Sequence, residues 1–139
     1  MSRRVVVMLL LVLAGWVTGC ASATSGYLLV DYRRVGGFAG LDDHLIIETD
    51  GKAMLTQRVE RFEFSLERDT IARLQALLDE AAFSKLHSEY LPSQSGADFI
   101  EYTLTYQGRT VRAVDTAVPE ALQLVIAFLN QVIMDGSKP

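Results

Sequence analysis

The chain reads as an α+β domain, an antiparallel sheet of about four to six strands with two amphipathic helices packed on one face. Two observations predict this, and a third orders them. Several short segments alternate apolar and polar residues around glycine turns, as half-buried strands do. Two longer segments, after Ser65 and after Pro119, place apolar residues at three- and four-residue spacing. The order is strands, helix, hairpin, helix, which suits two layers around one core.

Residues 1–19 come first and stand apart. Arg3 and Arg4 precede an apolar run, Val5 to Val17, and Thr18 and Gly19 follow as small residues before Cys20. A basic start, a short apolar core and a small-residue end make a secretory signal. A spanning helix needs about 20 apolar residues, and this run is shorter. Ala21 to Gly26 are small and polar, a tether that reaches about 20 Å at most.

From Tyr27 to Tyr32 the chain is rich in aliphatic and aromatic residues, a strand that runs toward the glycine cluster Gly36, Gly37, Phe38, Ala39, Gly40. His44 to Thr49 is a second strand. Asp50 with Gly51 is a strong hairpin signal, and Lys52 to Gln57 pairs back. In Arg58 to Phe64, Phe62 and Phe64 alternate with Arg61 and Glu63, a further short strand. Ser65 sits where a helix N-cap belongs, with Glu67 and Asp69 in the first turn. Ile71, Leu74, Leu77, Leu78 and Ala81 then form one apolar face.

Ser84 to Asp98 loses periodicity and carries Pro92, Ser93, Gln94, Ser95 and Gly96, so it reads as a long loop, a length usually reserved for function or disorder. Phe99 to Tyr106 alternates again, Gln107 and Gly108 make a turn, and Arg109 to Val114 returns as a second hairpin. Pro119 suits the first position of a helix, and Asp115 can accept bonds from its free amides. Leu122, Val125, Ile126, Leu129, Val132 and Ile133 give that helix its apolar stripe as far as Gly136.

The whole sequence has 139 residues, thirteen basic and seventeen acidic, and a mean hydropathy of +0.21. Without residues 1–19, which hold two of the basic residues and none of the acidic, eleven face seventeen, a formal charge of −6. The remaining residues, 27–134 above all, suffice for one core and one domain. An acidic surface repels phosphate backbones, which argues against nucleic acid as a partner. Cys20 is the only cysteine, so no disulfide supports the fold and an exported thiol needs another use.

Candidate chemistry is sparse. His44 adjoins Asp42 and Asp43, and His87 stands two residues before Glu89, yet neither spacing makes a metal motif and no cysteine ligand accompanies them. No GxSxG or SxxK flanks a serine, and no GK[ST] follows the glycine cluster. These residues predict a protein that is not an enzyme and uses no metal or cofactor.

Val17, Thr18, Gly19 and Cys20 resemble the bacterial lipobox. The resemblance implies that Cys20 receives a diacylglycerol on its sulfur, that cleavage follows Gly19, and that the new amino terminus is acylated too. Two or three chains, at about 0.8 kcal/mol per buried CH₂, hold a small domain durably where one chain does not. The expected location is the cell envelope. Ala21, where an Asp would imply inner-membrane retention, points to the outer membrane facing the periplasm.

Three further segments are similar to the emfourins, small bacterial inhibitors of thermolysin-like metalloproteases such as protealysin. They are Arg33 to Gly40 (RRVGGFAG), Asp98 to Thr105 (DFIEYTLT) and Asp115 to Leu122 (DTAVPEAL). The resemblance covers roughly residues 28–133, although the family as characterised is soluble and lacks both the lipobox and the hairpin-like segment around Asp50 to Phe64. It implies binding to a thermolysin-like metalloprotease. Such enzymes prefer a bulky apolar residue just after the scissile bond, so Phe38 after Gly37 would act as a substrate mimic, with the Ser84 to Asp98 loop beside it. Two readings of the Gly36 to Gly40 loop stand together: it contacts a partner, or the glycines make a strand connection and Phe38 packs under the sheet. At the level of the whole chain, the alternative to an inhibitor is a small envelope lipoprotein with a structural or other protein-interaction role and no inhibitory activity.

Overall fold

A computed structural model describes residues 26–94, 96 and 98–138. Residues 1–19, Cys20 and Ala21 to Ser25, with the expectations placed on them, lie outside the described residues. The α+β class holds. Seven strands form one sheet: β1 Leu28–Gly36, β2 Leu41–Glu48, β3 Lys52–Gln57, β4 Glu60–Ser65, β5 Glu89–Tyr90, β6 Ile100–Tyr106 and β7 Arg109–Val114. Among the described residues two helices, α1 Arg68–Glu80 and α2 Glu120–Gly136, complete it. The strand order is β4-β3-β2-β1-β6-β7-β5.

Two expectations about the sheet are corrected. It has seven strands instead of four to six, and it is mixed, because β5 runs parallel to β7, with Glu89 beside Arg112 and Tyr90 beside Ala113. The additional strand, β5, lies inside the segment read as a loop. Two residues cannot show a period of two, so alternation had nothing to report; what docks them is the register of β7, where the Arg112 amide donates to the Ser88 carbonyl at 2.8 Å. The same segment opens with a 3₁₀ turn at Phe83–Lys85, which buries Phe83 against the edge of Tyr106.

The alternation read from sequence sets which face each strand buries. One row of side chains crosses five strands on the covered face: Leu55, Leu45, Tyr32, Leu104 and Val111 are partners in successive ladders, and none is more than 2% exposed. Ile71, Leu74 and Leu78 of α1 and Leu122, Val125, Leu129 and Ile133 of α2 pack onto this same cluster. Burying each such side chain is worth about 1.5–3 kcal/mol, so this layer is the core of the fold. The opposite face is open, and its polar residues pair with one another: His44 Nε2 lies 2.9 Å from Asp31 Oδ1, Arg33 bonds Asp42 at 2.9 Å, and Arg112 bridges Glu101 and Glu89.

Element boundaries differ where tertiary bonds decide them. β1 continues past Tyr32 to Gly36, and β2 begins at Leu41, before His44, because Arg34 and Asp43 are cross-strand partners and satisfy each other inside the ladder. Ser65 is not the N-cap of α1. It ends β4 opposite Lys52, and the next amide, Leu66, still bonds the Gly51 carbonyl at 2.8 Å, so the chain leaves the sheet two residues later and Glu67 takes the cap position. Pro119 is the N-cap of α2, one residue before the first turn, with ψ at 147°. Asp115 does not reach that helix; its carboxylate accepts from the Thr116 amide at 2.8 Å in a short 3₁₀ turn.

Candidate functional site

The Gly36 to Gly40 segment is the tip of the β1–β2 hairpin. Gly36, Gly37 and Gly40 all adopt positive φ, at 100°, 71° and 60°. The Gly40 amide donates to the Gly37 carbonyl at 3.0 Å and closes the turn, while the Gly37 amide donates to the Phe99 carbonyl at 2.9 Å and ties the base of the turn to the start of β6. Close approach is what requires glycine here. A Cβ on Gly36 would stand 2.5 Å from the Phe99 carbonyl oxygen, and one on Gly37 would stand 2.9 Å from the Ile100 side chain.

This turn lifts Phe38 out of the sheet. The residue is 96% exposed, so the reading in which it packs under the sheet is overturned. The glycines do make a strand connection, and that connection places an aromatic ring in solvent. Aromatic side chains ordinarily serve cores, and this one contributes nothing to the core.

A second turn stands beside it. Arg58 and Val59 join β3 to β4, and Val59 is 94% exposed. Arg58 holds φ at +54°, uncommon for a residue with a side chain, and three bonds maintain it. Its amide donates to the Asp42 carbonyl at 2.8 Å, and its guanidinium Nη2 donates to the Ala39 and Gly40 carbonyls at 3.1 and 3.2 Å. Arg58 thereby fastens the second hairpin to the first. A depression of about 470 Å³, lined by residues of both turns, lies between them.

Beneath the tip, a polar cluster on the covered face joins three strands and α2. Arg34 Nε donates to Asp43 Oδ2 at 2.6 Å, Gln57 Nε2 donates to Asp43 Oδ1 at 3.0 Å, and Asn130 Oδ1 accepts from Arg34 Nη1 at 3.1 Å and Tyr32 OH at 2.9 Å. Asp43 is only 4% exposed, and both of its oxygens are bonded. Burial raises the Tyr32 hydroxyl far above the ordinary tyrosine range, so it stays a neutral donor. Burial also raises Tyr102, whose ring stacks on Tyr32 at 6.3 Å. Among the described residues, no buried side-chain polar atom lacks a partner.

Phe99 meets the tip from the other side, bonded to Gly37 through its carbonyl. Leu91, half exposed, and with it Pro92, Gly96 and Phe99, line a groove of about 650 Å³ over the open face, whose floor includes Val35, Glu101 and Val114. The structure therefore brings together the Gly36 to Gly40 tip and the end of the proposed loop, whereas Ser84 and Lys85 belong to the 3₁₀ turn that seats Phe83.

The two histidines do not meet. His44 pairs with Asp31 on the open face, and His87 lies edge-on to Tyr90 at 5.9 Å. Among the described residues, no group of three or more His, Cys, Asp or Glu side chains converges as a metal site would require. Sequence reasoning missed Arg58, Val59 and the Arg34–Asp43–Asn130 cluster. The two-residue spacing between alternating segments marks a hairpin at Arg58 and Val59, but with neither Gly nor Asn there, the usual signal of positive φ was absent.

A scan of the chain against protein-family models finds no match, and a search of curated proteins finds no similar sequence.

Proposed function

We propose that this chain is a cell-envelope lipoprotein, anchored through Cys20, whose domain is a protein-binding module of emfourin type that competitively inhibits thermolysin-like metalloproteases. The observation that carries the reading is Phe38, 96% exposed on a turn held by the Gly37–Phe99 and Gly40–Gly37 bonds and by the close approach of Gly36 and Gly37 to Phe99 and Ile100. A preorganised apolar projection loses little freedom on binding, which is how rigid inhibitor loops convert modest contact area into affinity. The sequence resemblance at RRVGGFAG supplies the class of partner, and the turn supplies the residue that enters its apolar pocket.

The placement of the tip suits an anchored binder. β1 begins at Leu28, eight residues after Cys20, and runs nine residues to Gly36, about 30 Å of strand. The tip is thus at the opposite end of β1 from Leu28. Among the described residues no helix is long and apolar enough to cross a membrane, and attachment in this reading is by lipid alone.

The test is inhibition of a panel of thermolysin-like metalloproteases by the purified chain. Competitive inhibition below about 1 µM supports the proposal, and no effect on any member at that concentration rejects the inhibitory role.

A further inference from the structure

We infer that the free edge of the sheet, β4, is an interface at which a second copy of this chain adds its own β4, antiparallel and centred on Phe62, so that two sheets join into one. β4 is the last strand in the order, and among the described residues nothing pairs with its outer side. The Leu66 amide bonds the Gly51 carbonyl, and in the alternation of an antiparallel ladder Phe64, Phe62 and Glu60 then bond inward to β3. The amides and carbonyls of Arg61, Glu63 and Ser65 point away from β3 and leave donors and acceptors along an open edge. Sheets ordinarily blunt such an edge with a proline, a bulge or a very short strand. β4 has none of these: its six residues pair with β3 in unbroken register, whereas β5 at the opposite edge is two residues long.

The side chains of β4 select the occupant. Arg61 and Glu63 are exposed on the open face, opposite Thr56 and Met54 of β3, and neither enters an ion pair among the described residues. Charges of one sign along an edge repel a second copy of it. Here the signs differ at a spacing of two residues, which makes the edge its own complement. In the register centred on Phe62, Arg61 stands directly opposite Glu63 of the second copy, and Glu63 opposite Arg61 of the second copy, at positions where the outward amides and carbonyls exchange hydrogen bonds. Phe62, half-buried, then falls on the two-fold axis against Phe62 of the second copy, at a non-hydrogen-bonded position where side chains come closest. The register centred on Glu63 would set two carboxylates against each other. The pairing is isologous, and with only the short β5 at the far edge it closes at two copies instead of running on. It is also independent of what the Gly36 to Gly40 tip binds.

The experiment co-expresses two differently tagged copies of the full chain in a bacterial envelope and captures one through its tag from a mild-detergent extract. Native copies are expected to bring each other down. Arg61→Glu expressed with itself, and Glu63→Arg expressed with itself, each set like charges opposite one another at both symmetric positions and should lower co-capture at least about tenfold. Arg61→Glu expressed with Glu63→Arg puts opposite charges back at both positions and should return co-capture to at least about half the native level. Whatever these exposed substitutions cost in folding is present in the mixed pair as well, so its recovery reports contact and not stability. Absence of co-capture between native copies, co-capture indifferent to the substitutions, or a mixed pair that stays as low as each variant with itself overturns the pairing. Capture of a different protein in place of the second copy overturns it too, because the edge then takes its strand from another chain.

Discussion

Replacing Gly36 by alanine tests whether the tip is held by close approach or merely tolerates glycine. At φ +100° an alanine carries backbone strain of about 1–3 kcal/mol. Its Cβ also lands 2.5 Å from the Phe99 carbonyl oxygen, a contact the backbone must relieve by moving β1 away from β6. That movement loosens the bond from the Gly37 amide to the same carbonyl, worth about 0.5–1.5 kcal/mol. The expected total is about 2–4 kcal/mol. Gly40→Ala is the control, because its φ is +60° and the nearest foreign atom to a Cβ is Arg58 Nη2 at 3.7 Å, so only a left-handed penalty of about 1 kcal/mol applies. With a urea m-value of about 2 kcal/mol/M, the two variants separate by roughly 0.5–1.5 M in midpoint. Equal midpoints would refute the claim that contact with Phe99, and not turn conformation alone, fixes the base of the tip.

The polar cluster, the open face and the anchor give three further predictions. Asp43→Ala strands the largely buried Arg34 guanidinium and removes the acceptor of Gln57, so it should cost about 3–5 kcal/mol in denaturant unfolding, whereas Asp43→Asn, which keeps an acceptor, costs less. The hydrogen bond from Arg112, and then its charge, hold the Glu101 carboxyl below its ordinary value of 4.5, so its contribution to stability is present above that pH and is lost as pH falls through the lower folded value. Carboxyl NMR titration should place Glu101 below 4.5, and Arg112→Gln should return it upward. Cys20→Ser should abolish lipid labelling and release the chain from the membrane fraction; retention with unchanged labelling would remove Cys20 as the anchor.

The readable part of the fold was the part governed by periodicity. Ile71, Leu74 and Leu78 or Leu122, Val125 and Leu129 announce a buried helix face because each spacing repeats several times. Strand β6 was legible from its alternation, and β3 and β7 from the Asp50–Gly51 and Gln107–Gly108 turns that precede them. What escaped were features set by a single tertiary bond: the two-residue β5 docked on Arg112, the delay of α1 caused by Leu66 bonding Gly51, and the extension of β1 and β2 around the Arg34–Asp43 pair. In sequence, Arg33 and Arg34 look like the end of a strand, and only the partner strand turns Arg34 into a buried residue. The candidate site shows the same division. Glycines at 36, 37 and 40 marked a turn, but whether Phe38 faced in or out depended on the fit of that turn against Phe99 and Ile100, and nothing in the spacing announced that Arg58 reaches across to the Ala39 and Gly40 carbonyls.

The most direct measurement compares the inhibition constants of the native chain and Phe38→Ala on the same thermolysin-like metalloprotease. Losing a fully buried aromatic anchor at the centre of an interface costs at least about 2 kcal/mol, so the variant should be weaker by about 30-fold or more. Its unfolding midpoint should not move, because a side chain 96% exposed contributes nothing to the core. Equal constants for the two proteins, or no inhibition by the native chain, would contradict the assignment of Phe38 as the residue that enters the partner.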